Sequence, residues 1–221
     1  MIKNKRIMLG LLAIILAFGC EDSSEQTTAE KTKAFASETN GNTLHSPKFG
    51  LSIEKPDGWY ALGYDELNAL IETGGEVASS GNDDLGAILE ATEKNNYSLF
   101  LISQYETGAP VEVNPNVLGV AENISAAPGI KSGKDYFFHA KKLMAQANPS
   151  YVFEDGYKVR LIDGVEFDQM DLTIELAGMS SKQTYYAAKS KNFIIGIIQT
   201  YESEDSQEAT SKIIDTIKLD W

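Results

Sequence analysis

The chain of 221 residues has one cysteine, Cys20, and two histidines, His45 and His139. A single thiol has no partner within the chain, so an internal disulfide is excluded. Transition-metal sites with dedicated ligands are built from Cys and His. Neither a His-Glu-x-x-His nor a Cys-x-x-Cys pattern occurs, so no metal ligand is assigned. A Ser-His-acid triad would have to take His139 as its base, and no Gly-x-Ser-x-Gly elbow offers a nucleophile. There is no Gly-rich phosphate cradle with a Lys, and no cofactor is assigned. Cations are scarce too: 19 Lys and Arg stand against 32 Asp and Glu, a net charge of −13. That balance argues against nucleic acid as a partner and against electrostatic docking on anionic lipid. The longest apolar run, Ile7–Phe18, has twelve residues, short of the ~20 that a membrane-spanning helix needs.

What is present begins with a leader pattern. Met1–Arg6 is basic, Ile7–Phe18 is apolar, and Ala17-Phe18-Gly19-Cys20 closes the segment. This end resembles the lipobox of bacterial lipoprotein signal peptides. The resemblance implies cleavage before Cys20, acyl chains such as palmitate on Cys20, and a membrane anchor. An ordinary secretory signal with a chance Cys at its end is the alternative. Each buried methylene adds ~0.8 kcal/mol, so two or three chains hold a protein on a membrane without any further lipid-binding surface. Removal of Lys3, Lys5 and Arg6 with the leader would leave 16 basic side chains against 32 acidic ones. The expected location is a bacterial cell envelope, at the outer membrane or cell surface rather than the inner membrane.

Residues 20–45 read as the lipidated Cys and a flexible tether. The segment is rich in Ser, Thr, Glu, Asn and Gly, with few apolar residues. A single globular domain is expected over 46–221. Phe49, Leu51 and Ile53 alternate as in a half-buried strand over Lys48–Lys55, and Pro56-Asp57-Gly58 is a turn before Trp59. A short helix is expected over Asp65–Thr73, a polar loop over Gly74–Asp84, and a second short helix over Leu85–Ala91. Strands follow over Tyr97–Tyr105 and Val117–Ile124, with a Gly- and Pro-bearing loop over Thr107–Asn116 between them. The main helix is Lys134–Ala147. Ser132 and Asp135 form its capping box, and Phe137, Ala140, Leu143, Met144 and Ala147 its apolar stripe. Lys134, His139, Lys141 and Lys142 lie elsewhere on it. They are either a solvated face or a docking surface for an acidic partner.

The last third reads as strands. Tyr157–Ile162 runs into the hairpin turn Asp163-Gly164. Val165 and Phe167 share one side-chain parity, whereas Met170, Leu172, Ile174 and Leu176 share the other. The switch predicts either a bulge near Asp168–Gln169 or a strand crossing between neighbours. Gln183–Lys189 pairs back. Phe193–Ile198 is apolar on both parities, as a strand covered on both faces requires. Asp205 with Glu208 is expected to cap a final helix whose stripe is Ala209, Ile213, Ile214 and Ile217, and Trp221 to pack over the sheet edge.

Phe49–Ile53 with Pro56-Asp57-Gly58-Trp59, and the close from Tyr185 to Leu219, resemble the Mog/PsbP-like superfamily, DcrB type. The resemblance implies an α+β fold, an antiparallel β-sheet flanked by helices as an α/β/α sandwich. It carries no catalytic residue to this chain, because that scaffold serves unrelated roles. Other candidates are Trp59 as a core plug or stacking platform and Arg160 as a cross-strand partner or anion contact. Glu166, Asp168, Asp171 and Glu175, or Glu202, Glu204 and Asp205, are solvated faces or weak Ca²⁺ holders. Three functions are in view. The first is a non-enzymatic binding or accessory module for another protein. The second is a small-molecule or cation binder with loops Gly74–Asp84 and Thr107–Asn116 at the mouth. The third is a hydrolase using carboxylates.

Overall fold

A computed structural model describes residues 38–64, 66, 67, 69, 95–147, 150–176 and 179–221. Two antiparallel sheets organise them. The smaller is built from β1 (Glu38–Asn40), β2 (Thr43–Ser46), β3 (Leu51–Glu54) and β12 (Lys218–Leu219), in that order. The larger contains β4 (Tyr60–Leu62), β5 (Asn96–Ser103), β6 (Asn116–Asn123), β7 (Tyr151–Phe153), β8 (Lys158–Ile162), β9 (Val165–Leu176), β10 (Met179–Ser190) and β11 (Phe193–Tyr201). Its order is β4-β5-β6-β11-β10-β9-β7, with β8 also on β9. Helix α1 (Gly133–Ala147) covers one face of this sheet. Helix α2 (Glu204–Ile214) and the small sheet cover the other. The α+β sandwich expected from the sequence is therefore the fold, with the small sheet as an addition to it.

Strand β11 lies in the middle, paired to β10 and β6. Its Ile195 and Ile197 join the core beneath α2, and Ile194 and Ile198 join the core beneath α1. This explains the unbroken apolar run, since each parity enters a different core. Full burial of one such side chain contributes about 1.5–3 kcal/mol. The same logic accounts for β9. Phe167 is buried in the α2-side core, and Met170 and Leu172 in the α1-side core. The register of β9 with β10 is unbroken from Asp168 to Leu176, so there is no bulge at Asp168–Gln169 on that side. On its outer edge β9 passes from β8 to β7, and the two extra residues fall in that partner, between Phe153 and Lys158.

The hairpin turn stands as expected. Asp163 and Gly164 both take positive φ, 47° and 81°, the geometry that a two-residue hairpin demands. Asp163 also accepts from Lys218 Nζ at 3.1 Å and from the Leu219 N–H at 2.9 Å, tying β12 to the large sheet. Trp221 donates from Nε1 to the Phe49 carbonyl at 2.7 Å, and its ring lies 5.9 Å from that of Phe167.

Three expectations require correction. The described strands begin before Ser46. Thr43–Ser46 is β2, paired to β3, and Leu44 and Ser46 are buried, so the stretch read as the end of a tether is part of the small sheet. One apolar residue at the right parity was enough to seat it. The strand over Lys48–Lys55 is shorter, because Pro47–Phe49 forms a 3₁₀ turn closed by Gly50 at φ 53°. The cap of α2 is Ser203, whose Oγ accepts from the Ser206 N–H, and Ser206 Oγ accepts from the Ser203 N–H. Asp205, placed at the cap by sequence, lies in the exposed first turn, where its charge still favours the helix N-terminus. Tyr64, Glu66, Leu67 and Ala69 are helical, beginning at or before the expected Asp65. The rest of that helix, Gly74–Asp84 and Leu85–Ala91 lie outside the described residues.

Candidate functional site

Strand β6 carries Leu118, Val120 and Glu122 on the parity that faces α1. The alternation therefore drives a carboxyl into an apolar layer. Glu122 is 2% exposed, and its Oε2 accepts from the Tyr136 hydroxyl on α1 at 2.6 Å. Burial pushes this carboxyl up to about 8, against the Tyr136 hydrogen bond, which lowers it. Across the ladder its neighbour is Asn96 on β5, whose side-chain amide is buried and makes no hydrogen bond with either atom. Beside Glu122 lies a cavity of about 30 Å³, lined among others by Phe137, Met144, Met170 and Tyr185. That volume suits a water molecule, and the acid gives it a polar partner. The chemistry available is that of one largely protonated acid within an apolar shell. No second carboxylate lines the cavity, so the acid-and-base pair of glycoside hydrolysis is not assembled there.

The other face of the sheet is polar where it meets α2. Gln199 is fully buried, and its Nε2 donates to Thr210 Oγ1 and the Gln207 carbonyl, both at 2.8 Å, and to Ser211 Oγ at 3.1 Å. Its Oε1 accepts from Tyr186 at 3.1 Å. Arg160, half-buried on β8, reaches Tyr186, the Ser211 carbonyl and Asp215, the last at 2.6 Å. Asp171 accepts from Lys158 and from Thr184, each at 2.8 Å. Every donor and acceptor named has a partner, so this seam fastens α2 rather than awaiting a ligand.

The outer edge of the large sheet has a different character. Among the described residues β8 pairs only with β9. Its Val159 and Leu161 are 58% and 64% exposed, and Val152 on β7 is 56% exposed. Val159 lies opposite Asp168 in the ladder, and Asp168 accepts from the Lys134 N–H at the start of α1. Val159 and Leu161 are thus on the α1 side of the sheet, beyond the helix.

A groove of about 540 Å³ runs between Lys55, Pro56 and Trp59 and the α2 residues Glu208, Ala209 and Lys212. Trp59 is half-buried against the core beside it, so it is both plug and groove wall.

The structure separates the candidates named from sequence. Arg160 faces α2 rather than solvent and is bound to Asp215. Asp168 and Asp171 are engaged in the bonds given above, and Glu166 and Glu175 are exposed. Glu202, Glu204 and Asp205 are exposed at the start of α2. Among the described residues no group of three His, Cys, Asp or Glu side chains forms a metal cage. His45 sits in β2 and His139 on the exposed side of α1. Loop Thr107–Asn116 is loop up to Pro115, with Asn116 opening β6, and Asn114 staples it by bonding both the N–H and the carbonyl of Tyr105. Cys20 and Gly74–Asp84 lie outside the described residues. Sequence reasoning passed over Glu122, Asn96, Tyr136 and Gln199. For Glu122 a signal existed: a carboxyl on the apolar parity of Val117–Ile124.

No family model matches the chain, and no curated protein matches it in sequence. Several solved structures are similar in overall arrangement. Cyanobacterial PsbP (CyanoP) from Synechocystis sp. PCC 6803 is 10% identical, with a TM-score of 0.48, covering 84% of this chain and 94% of that one. LpqN of Mycobacterium tuberculosis, involved in cell envelope biogenesis, is 13% identical, with a TM-score of 0.44, over 87% of this chain and 98% of its own. A Bacteroides thetaiotaomicron VPI-5482 protein is 14% identical, with a TM-score of 0.43, over 83% of this chain and half of its own length. At these identities no residue and no activity is carried across.

Proposed function

We propose that this chain is a lipid-anchored protein of a bacterial cell envelope, held through Cys20, whose domain is a non-enzymatic binding or accessory module for another protein. The observation that carries this reading is the edge of β8, which among the described residues pairs only with β9 and whose Val159 and Leu161 are 58% and 64% exposed. An edge strand with apolar side chains pointing out is a template for an extended segment of a partner, which adds ladder hydrogen bonds and fills the apolar positions. A second copy of this chain is a poor occupant, since each copy carries a net charge of −13. The anchor rests on the leader pattern ending at Cys20. Among the described residues no helix is long and apolar enough to cross a membrane.

The test is cross-linking in cells and co-purification of the tagged full chain, with Cys20→Ala and Val159→Lys/Leu161→Lys beside it. A near-stoichiometric partner lost in both variants is the expected result. A chain that runs alone in every sample would overturn the reading.

The groove beside Trp59 supports a second reading, a binder of a small molecule or cation. About 540 Å³ with an aromatic wall is the size of a ligand cleft. A melting temperature that stays flat across a metabolite and metal panel would count against it.

A further inference from the structure

Helix α1 turns Tyr136, Phe137, Ala140 and Met144 inward. Its opposite side shows Lys134, Phe138 and Lys142, spaced i, i+4 and i+8, with Lys141 one residue before the last. These positions form one line about 12 Å long on the helix surface. Phe138 is 71% exposed, the most exposed large apolar side chain among the described residues. Its ring meets only the edge of His139, at 5.3 Å between centroids. Lys134 and Lys142 are exposed and make no ion pair among the described residues, and Lys141 lies over the Phe153 ring at 5.2 Å. Lys158, Lys212 and Lys218 are each paired with a carboxylate, Lys55 and Lys189 donate to backbone carbonyls, and Lys131, Lys182 and Lys191 are exposed with no ion pair among the described residues. Two lysines with no ion pair among the described residues thus flank an exposed aromatic on one helix face of a chain whose net charge is −13.

We infer that this face of α1 is a docking surface for an acidic segment of another protein, one that sets Asp or Glu side chains against Lys134 and Lys142 and an apolar hollow over Phe138. This rests on the proposed binding function and names the chemistry of its partner. Charge decides the class of occupant. A second copy of this chain or an anionic lipid bilayer would meet the field of the whole acidic domain, whereas a short acidic segment meets only the local one within a Debye length of about 8 Å. The aromatic supplies the contact area, and the lysines supply register and rate of encounter. The α1 stripe and the exposed side of β8 share one side of the sheet, so one partner can reach both.

The test places a photoreactive phenylalanine analogue at Phe138 of the full chain in cells and, separately, at Leu161, and maps the adducts by mass spectrometry. Adducts from Phe138 on an Asp- and Glu-rich stretch of one protein are expected. They should fall about fivefold in Lys134→Glu/Lys142→Glu, the loss of two exposed ion pairs. They should persist in Lys182→Glu/Lys191→Glu, which changes the net charge equally elsewhere. Adducts on lipid, adducts on a neutral or basic stretch, or equal loss in both double variants would overturn the inference. Adducts at Leu161 without any at Phe138 would remove the helix surface and leave the binding function standing. Adducts at neither position would remove both.

Discussion

The two faces of the large sheet are fastened by opposite chemistry. Beneath α2, a polar seam runs from Arg160 through Tyr186 and Gln199 to Thr210 and Ser211, with each group named bonded to the next. Beneath α1 the layer is mostly apolar; Gln183 donates to Thr200 and accepts from Tyr185 there, whereas Glu122 accepts from Tyr136 and the Asn96 amide makes no hydrogen bond among the described residues. The outer surfaces differ as well. Lys212 on α2 is paired with Glu208 at 2.7 Å, whereas Lys134 and Lys142 on α1 have no carboxylate partner among the described residues. A satisfied seam specifies where α2 sits and leaves nothing to bind. The α1 layer holds its helix by packing, keeps a buried acid at some cost, and presents cations outward. Among the described residues, the buried acid Glu122, the unbonded Asn96 amide and the exposed Lys134 and Lys142 lie on the α1 side of the sheet.

The comparison can be broken first at the foot of α1. A Cβ at Gly133 would collide with the Ala187 carbonyl oxygen, a backbone atom. Gly133→Ala must lift the helix start off β10 and is expected to cost more than about 3 kcal/mol, read as a fall in the urea midpoint. A wild-type midpoint would mean that α1 is not seated this closely.

Next comes the buried acid. Glu122 titrates near 8 in the fold and near its ordinary value when unfolded, so the folded state holds the proton more tightly. Its contribution is fully present below about pH 4.5, is lost as pH rises towards 8, and is constant above that. Glu122→Gln keeps the shape and removes the titration. The variant should be more stable than the parent by about 2–4 kcal/mol at pH 9, with the difference shrinking towards pH 5. Parallel stability curves against pH for the two proteins would show that Glu122 is not the buried acid described.

On the other face, Gln199→Leu leaves Tyr186, Thr210 and Ser211 without their shared partner. Thr210 keeps its bond to the Ser206 carbonyl and Tyr186 the one from Arg160, so the loss is expected to be about 2 kcal/mol, with no change in the pH dependence. Chemical denaturation at two pH values checks both halves. The smallest effect belongs to the surface: Lys212→Ala removes an exposed pair and should shift stability by less than about 0.5 kcal/mol. A larger loss would place Lys212 in the fastening of α2.

Much of the fold was legible because it depends on side-chain period. The double apolar parity of Phe193–Ile198 announced a central strand, the 3.6 period of Phe137, Ala140 and Met144 announced α1, and Asp163-Gly164 announced its hairpin. The parity switch in β9 was legible too, but its cause was not. It records two cores on opposite faces, and only the packing of α1 and α2 shows which face is covered where. Thr43–His45 read as tether because a short strand held between β1 and β3 needs little more than Leu44 turned inward. Asp205 was the better-looking cap residue, yet Ser203 is the one with extended backbone at the helix start. Caps are decided by dihedral angles that composition does not carry.

By itself, the sequence determined the class of fold, the strand and helix periods, the acidic surface and the poverty in Cys and His, since these follow from composition and spacing alone. Tertiary structure alone decided that Glu122 lies opposite Asn96 and accepts from Tyr136, that Arg160 turns to α2, and that among the described residues β8 pairs only with β9 and Lys134 and Lys142 have no ion pair beside Phe138. The reason is physical. Burial, partner choice and exposure are properties of pairs of residues far apart in the chain, and a period says which way a side chain points without saying what it will meet.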